Sequence, residues 1–261
     1  MRFYIYLNEN KTLKWSDYVS GNRELKSALD LMKNINQKGY ECLIVGGFVR
    51  DVLLGLKSKD IDLCTNMPQK EIESQFDTFD IGQNRQFGVT VVKYKGFEFE
   101  IAQYRADIYN SLEGSRGAEQ VELVSDFKKD ASRRDFTINS LGINYKGEII
   151  DHNNGTHDIQ KKVIAAVGDP KLRFTEDVIR MMRGVRAAAK LGFSIEDKTK
   201  ETMRKMADQI WLASPERIKS ELIKMASQSG DKFAKAIMIL DDVGILEIIL
   251  PEIAKLKEYK E

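Results

Sequence analysis

Apolar and polar positions repeat with two different periods along this chain, and the switch between them marks its parts. From Glu24 to Lys38, Leu25, Leu29, Leu31, Met32 and Ile35 fall at helical spacing, and Gly39 ends the run. The apolar runs then shorten. Leu43-Ile44-Val45 reads as a buried strand, Gly46-Gly47 as a bend, Phe48 to Leu54 as helix, and Asp60-Ile61-Asp62 as a strand with apolar flanks. Met67-Pro68 opens a loop, and the run to Phe76 is helical with Pro68 near its start. Val89 to Tyr94 and Phe97 to Ala102 alternate as strands around Lys95-Gly96, and Glu148-Ile149-Ile150 forms another short strand. Arg105 to Val121 is polar and glycine-containing, which predicts a mobile loop. Beyond Pro170 the pattern is helical throughout. Thr175 is placed to cap a helix that runs to about Leu191 and stops at Gly192. At the other end, Met1 to Trp15 alternates as a small hairpin with a polar turn.

Strands before residue 168 and helices after it predict an α+β protein in parts: an extension over 1–22, a mixed-sheet domain over 23–168 and helices over 169–261. Hydrophobic content of 42% with 31% charged residues belongs to a soluble globular chain. The 41 basic and 40 acidic residues nearly cancel, so any contact with a polyanion must come from local patches. Cys42 and Cys64 sit beside apolar strand residues, outside any metal-type cluster, and read as free thiols in a reducing cytosol. No signal-peptide core or membrane-length apolar run is evident, which sets the expectation of a cytoplasmic protein without membrane contact.

The chemistry concentrates in a few places. Asp60 and Asp62, two apart on a strand, project to one face, where they repel unless a cation lies between them. Oxygen-only ligands suit Mg²⁺, and a glycine turn nearby suits phosphate. A plain turn and a solvated strand edge are the bland alternatives. Glu98 and Glu100 likewise share a strand face, opposite Phe97, Phe99 and Ile101. Arg180, Arg183 and Arg186 sweep along one side of the predicted helix, and as a solvated basic face they would need no further role.

Taken together the motifs resemble one family. GG-x-VRD-x-LLG followed by DxD, then RRDFTIN at 133–139, DHNNGTHDI at 151–159, EDVIR at 176–180 and SPERIKSEL at 214–222 are similar, in that order, to the class II tRNA nucleotidyltransferases and bacterial poly(A) polymerases. The resemblance implies a polymerase beta-like nucleotidyltransferase head followed by an all-α neck. It implies addition of C and A from CTP and ATP to the 3′ end of tRNA, with release of pyrophosphate. Asp60 and Asp62 would hold Mg²⁺, with Glu100 a further active-site carboxylate. Gly46, Gly47, Arg50 and Arg134 would meet phosphates, and Asp135 a ribose hydroxyl. Asn139 would brace the site. Asp177 and Arg180, one helical turn apart, would read the base, with Arg183 and Arg186 beside the nucleotide. Poly(A) synthesis and CC-only or A-only addition share these motifs, and a non-catalytic RNA-binding remnant is the rival of another class. Relatives continue through a longer body that grips tRNA, so an oligomer or partner is expected to take its place here.

Overall fold

The computed structural model describes residues 4–6, 12–58, 60–79, 88–108 and 120–255, and the chain forms two compact units. The first comprises Met1–Ala106, Val121–Arg134 and Ile138–Ile159; the second comprises Asp107–Gln120, Asp135–Thr137 and Gln160–Glu261.

The first unit opens with strands β1 (Tyr4–Tyr6) and β2 (Thr12–Lys14), an antiparallel pair followed by α1 (Trp15–Ser20). The predicted hairpin is present; its turn lies outside the described residues. Helix α2 (Arg23–Gln37) starts where Asn22 Oδ1 accepts the Leu25 N–H at 2.9 Å, and it buries Leu25, Leu31, Met32 and Ile35 completely. There follow β3 (Cys42–Val45), α3 (Gly47–Leu53), β4 (Asp62–Thr65), α4 (Gln69–Gln75), β5 (Asp77–Phe79), β6 (Val89–Tyr94) and β7 (Phe97–Gln103). Next are β8 (Arg105–Ile108), β9 (Gln120–Leu123), α5 (Phe127–Ser132), β10 (Gly142–Ile143), β11 (Ile149–Ile150) and α6 (Gly155–Lys161). Seven strands make one sheet in the order β11-β10-β3-β4-β7-β6-β5. It is mixed, because β4 and β7 run parallel while the other neighbours are antiparallel. Both faces of β3 are covered, which is why all four of its residues are buried. Leu43 and Val45 pack with Cys64, Tyr104, Phe127 and Ala131, each large apolar side chain contributing about 1.5–3 kcal/mol by leaving water. Cys42 and Cys64 are buried free thiols.

In the second unit β12 (Val163–Ile164) pairs in parallel with β13 (Ser194–Ile195), and the rest is helical: α7 (Pro170–Glu176), α8 (Ile179–Leu191), α9 (Asp197–Lys205), α10 (Pro215–Ala226), α11 (Gly230–Asp242), α12 (Ile245–Ile249) and α13 (Pro251–Lys255). Residues 135–137 join this unit as an extended tie: Thr137 N–H donates to Ala165 O at 3.0 Å and Val167 N–H to Asp135 O at 3.1 Å. That tie seats Phe136, fully buried, against α8 at Gly184, where an added Cβ would lie 2.7 Å from Phe136 Cζ and 2.8 Å from Met203 Cε.

Two expectations need correction. The helix expected from Thr175 to Leu191 is two helices. Pro170 sets the first turn of α7 five residues earlier, so Thr175 falls inside it, and Asp177 leaves the helix in extended backbone (φ −160°). Its Oδ1 accepts the Ile179 N–H at 3.3 Å, a local bond that competes with helix continuation. The C-terminal stop does occur at Gly192, whose φ of +72° is the left-handed cap that glycine favours. The loop expected over 105–121 has paired strands, β8 and β9, at its two ends; residues 109–119, with Arg116, lie outside the described residues. Among the described residues no helix is long and apolar enough to cross a membrane.

Candidate active site

Sheet register sets the acidic edge of the first unit. β3 ends at Val45, and Gly46 turns the chain into α3 with φ +73° and ψ −138°, a conformation in which a side chain would be strained. Across the antiparallel pair, Asp62 stands opposite Val45, so the first carboxylate of β4 lies beside the glycine turn. On the other side β7 runs parallel with Leu63 beside Ile101, which puts Glu100 level with Asp62 on the neighbouring strand. Asp60, Asp62 and Glu100 are all exposed, while Leu63, Phe99 and Ile101 between them are buried. The period of two therefore separates an acidic rim from the core. Partial burial raises the Asp62 carboxyl above the usual range, and the charges of Glu100 and Asp60 push it further against the pull of Arg134. The three carboxylates thus act on one another electrostatically.

Two guanidiniums frame this edge, each fixed by an aspartate. Arg134 is held by Asp130: Nε and Nη2 donate to Oδ2 at 3.2 and 2.9 Å, while Nη1 donates to the Asn139 carbonyl at 3.3 Å. The same Asp130, only 1% exposed, accepts from Arg133 Nε and Nη2 at 3.0 and 2.8 Å. Burial alone would raise this carboxyl, but the charges of Arg134 and Arg133 hold it below the usual range. Arg134 also lies against Phe127, its Cζ 6.0 Å from the ring centre, and its Nη1 would be 3.6 Å from a Cβ at Gly46. It therefore reaches the glycine turn. Arg50 also lies against the glycine turn, its Nη2 3.4 Å from the place of a Cβ at Gly47. Its guanidinium is buried, donates through Nε and Nη2 to Asp51 Oδ1 at 2.8 and 2.6 Å, and reaches Asn139 Oδ1 at 2.8 Å. Asn139 accepts from both arginines, through its side chain from Arg50 and its carbonyl from Arg134.

In the second unit the expected nucleotide-contacting residues form a chain of ion pairs. Asp135 is buried, and its Oδ2 accepts from Arg183 Nε at 2.8 Å and Nη2 at 2.7 Å. The Asp135 charge raises the Arg183 guanidinium further. The carboxylate expected to take a ribose hydroxyl is thus engaged first by Arg183, whose own side chain is half exposed. Asp177 Oδ2 accepts from Arg217 Nη2 at 2.7 Å. Arg180 is buried and donates through Nη1 to Glu176 Oε2 at 2.6 Å and to Arg173 O at 3.1 Å; Arg173 in turn holds Glu176 Oε1 at 2.6 Å. Asp177 lies just outside α8 and Arg180 in its first turn, and the Arg180 N–H donates to the Asp177 carbonyl at 3.1 Å, which keeps the two one turn apart. Arg186 Nε donates to the buried Glu221 Oε2 at 2.6 Å.

Five partners in these networks, Asp51, Asp130, Arg173, Arg217 and Glu221, were not singled out from sequence. Asp130 carried a usable signal, since it precedes Arg133 and Arg134 at the i,i+3 and i,i+4 spacings of helical ion pairs. Arg217 and Glu221 meet partners 40 and 35 positions away, and no local pattern announces that.

Residues 42–165 match the poly A polymerase head domain, and residues 192–257 match the probable RNA and SrmB-binding site of polymerase A. A CCA-adding enzyme of Bacillus pumilus is 36% identical over 227 residues, covering 87% of this chain and 55% of that one. One of Lactobacillus johnsonii is 38% identical over 222 residues, with 85% and 54% covered. The chain thus spans about half the length of these curated relatives. The crystal structure of Bacillus stearothermophilus CCA-adding enzyme in complex with CTP superimposes with a TM-score of 0.76 at 32% identity, covering 86% of this chain and 53% of that one.

Proposed function

Because the chain belongs to the poly A polymerase head-domain family, we propose that it is a template-independent RNA nucleotidyltransferase that adds C and A from CTP and ATP to the 3′ end of tRNA. The observation that carries this reading is the register that sets Asp62 beside the Gly46 turn and level with Glu100, with Arg134 aimed at the same turn. The relatives' names, CCA-adding enzyme, supply the substrate class.

The reaction is attack of the RNA 3′-oxygen on the α-phosphorus. A new P–O bond forms, the bond from the α-phosphorus to the α–β bridging oxygen breaks, pyrophosphate departs, and the hydroxyl proton passes to solvent water. The exposed carboxylates fit a hard divalent cation, Mg²⁺ by donor chemistry: they are oxygen donors only, and Asp60 and Glu100 raise the Asp62 carboxyl against the pull of Arg134. Among the described residues no group of three His, Cys, Asp or Glu side chains forms a metal-binding array, so Asp60 and Asp62 would share the ion with phosphate oxygens and water. When bound, such an ion neutralises charge on the transferred phosphate and favours the ionised hydroxyl. Glu100 adds negative charge to the same rim. Gly46 and Gly47 let the backbone approach the triphosphate, and Arg134 offers its guanidinium there. Arg50, locked to Asp51 and Asn139, braces that turn from within. Asp177 and Arg180 read the base: a carboxylate accepts from the exocyclic amine of cytosine or adenine, and a guanidinium donates to the adjacent ring nitrogen. Arg183, fixed by Asp135, and Arg186, fixed by Glu221, present cations to the nucleotide. Little covalent work falls to the protein, and positioning carries the rate.

The test is direct. The purified protein is incubated with tRNA lacking CCA, tRNA ending in CC, or an unrelated RNA, with single labelled nucleotides, with and without Mg²⁺, and the products are sized. Addition of two C residues and then one A to the tRNAs alone is expected. Long adenylate tails on the unrelated RNA would replace this reading with poly(A) synthesis, and no extension of any RNA would refute it.

A further inference from the structure

The base-reading carboxylate sits at a weak point of the backbone. Asp177 lies in the break between α7 and α8, in extended conformation; its carbonyl accepts the Arg180 N–H at 3.1 Å, but that bond does not fix the torsions of its side chain. The Ile179 N–H contact at 3.3 Å is long for a bond that must hold a side chain in place. The firm contact comes from elsewhere in the chain: Arg217 on the first turn of α10 donates through Nη2 to Asp177 Oδ2 at 2.7 Å. Asp177 is 14% exposed and Arg217 36%, so the bond is partly shielded from solvent.

α10 makes this contact as one of a matched pair. Glu221, one turn beyond Arg217 on the same helix, accepts from Arg186 Nε at 2.6 Å. Arg217 and Glu221 at i,i+4 thus meet Asp177 and Arg186, opposite charges in register along α8 and the residue that leads into it. A slip of α10 by one turn would bring Glu221 against Asp177, setting two carboxylates face to face. The charge pattern therefore admits one register. Arg217 Nη1 is moreover buried without a hydrogen-bond partner, so the guanidinium is held in place mainly by its bond to Asp177.

We infer that Arg217 is a positioning residue for nucleotide selection, acting through Asp177. This rests on the base-reading role proposed for Asp177. A guanidinium only donates, so the carboxylate it holds stays an acceptor, which pairs with the exocyclic amine of cytosine or adenine and repels the carbonyl of uracil or guanine, itself an acceptor. The bond also fixes the carboxylate where the backbone does not. Loss of the tether leaves Asp177 present but loosely aimed. A misplacement of about 1 Å costs on the order of a hundredfold in a positioned reaction, so discrimination falls by roughly tenfold to a hundredfold.

The experiment compares wild type, Arg217→Ala, Arg217→Lys, Asp177→Ala and the Asp177→Ala/Arg217→Ala double variant. It measures kcat/KM for CTP and ATP against UTP and GTP on tRNA substrates, with melting temperature as a folding control. Arg217→Ala is expected to lower the ratio of correct to incorrect nucleotides by that factor, chiefly through a raised KM for CTP and ATP. Arg217→Lys recovers part of the ratio, because it keeps one charged contact and loses the fork. The double variant should discriminate no worse than Asp177→Ala, since Arg217 acts through that carboxylate. An equal loss of rate with all four nucleotides would mean a merely structural role and would overturn the inference. So would an unchanged ratio in Arg217→Ala while Asp177→Ala loses it, a failure that leaves the base-reading role standing. An unchanged ratio in Asp177→Ala would sink both. If Arg217→Ala has no melting transition, Arg217→Lys carries the same comparison, and its full retention of selectivity together with wild-type KM would overturn the inference.

Discussion

Asp130 offers the sharpest test of how the head unit holds its phosphate-facing arginine. The perturbation is Asp130→Asn, which keeps the shape and removes the charge. In the native protein its two oxygens take four guanidinium bonds of 2.8–3.2 Å from Arg133 and Arg134, plus the Arg105 N–H at 3.3 Å. An asparagine keeps one acceptor oxygen and turns an amide donor toward a guanidinium, so one arginine loses its partner. Removing one member of a buried ion pair costs about 3–5 kcal/mol. Arg133 and Arg134 are 19% and 17% exposed and recover part of their hydration, which brings the expected loss to about 2–3 kcal/mol. At about 2–4 °C per kcal/mol for a chain of this size, the melting temperature of the head transition falls by roughly 4–12 °C. Turnover falls by on the order of a hundredfold as Arg134 loses its aim at the Gly46 turn. The pH dependence gives an independent check. The folded Asp130 carboxyl is held below its ordinary value, so its contribution is complete above the unfolded value of about 3.9 and is lost as pH falls through the folded value. The variant lacks that titration, so its acid limb is shallower than that of wild type. Calorimetry from pH 7 downward and single-nucleotide addition read all three effects. A variant within 1 °C and twofold of wild type (about the resolution expected of such scans) would refute the account of Asp130 as the anchor of Arg134.

Two further outcomes follow from the same geometry. Asp62→Asn should reduce nucleotide addition by about 10²–10³-fold, the scale of removing one electrostatic element from a reacting centre, yet leave the metal-free protein at least as stable at pH 7. The sign follows from its raised folded value: ionised Asp62 is a cost above that value, relieved as pH falls toward the unfolded one. A clear drop in melting temperature, or near-normal addition at saturating Mg²⁺, would contradict this. Gly184→Ala inserts a methyl group 2.7 Å from the Phe136 ring and 2.8 Å from Met203 Cε, so thermal unfolding should show a loss of about 1–3 kcal/mol; unaltered stability would mean that Phe136 and α8 are loosely packed.

What the sequence determined by itself was everything carried by local period and local motif. Helical spacing placed α2, strand alternation placed β6 and β7, and the i,i+2 rule put Glu98 with Glu100 on one exposed face; the strand expected over Asp60-Ile61-Asp62 begins only at Asp62, so Asp60 is exposed on the segment that leads into β4. The ordered motifs are shared with one family. Tertiary structure decided what depends on distant partners. The parallel pairing of β4 with β7 made Glu100 a neighbour of Asp62, although 38 positions separate them. Arg50 and Arg134, both beside the glycine turn, received different carboxylate partners, Asp51 for one and Asp130 for the other, while Asn139 meets both. The break at Asp177 also escaped the pattern, since a capping threonine and two acids make as good a helix start as Pro170 does a few residues earlier. Side-chain direction at such points is set by which cation or carboxylate the fold brings within about 3 Å, and charge pairing over 35 or 40 positions leaves no period in the chain for a reader to find.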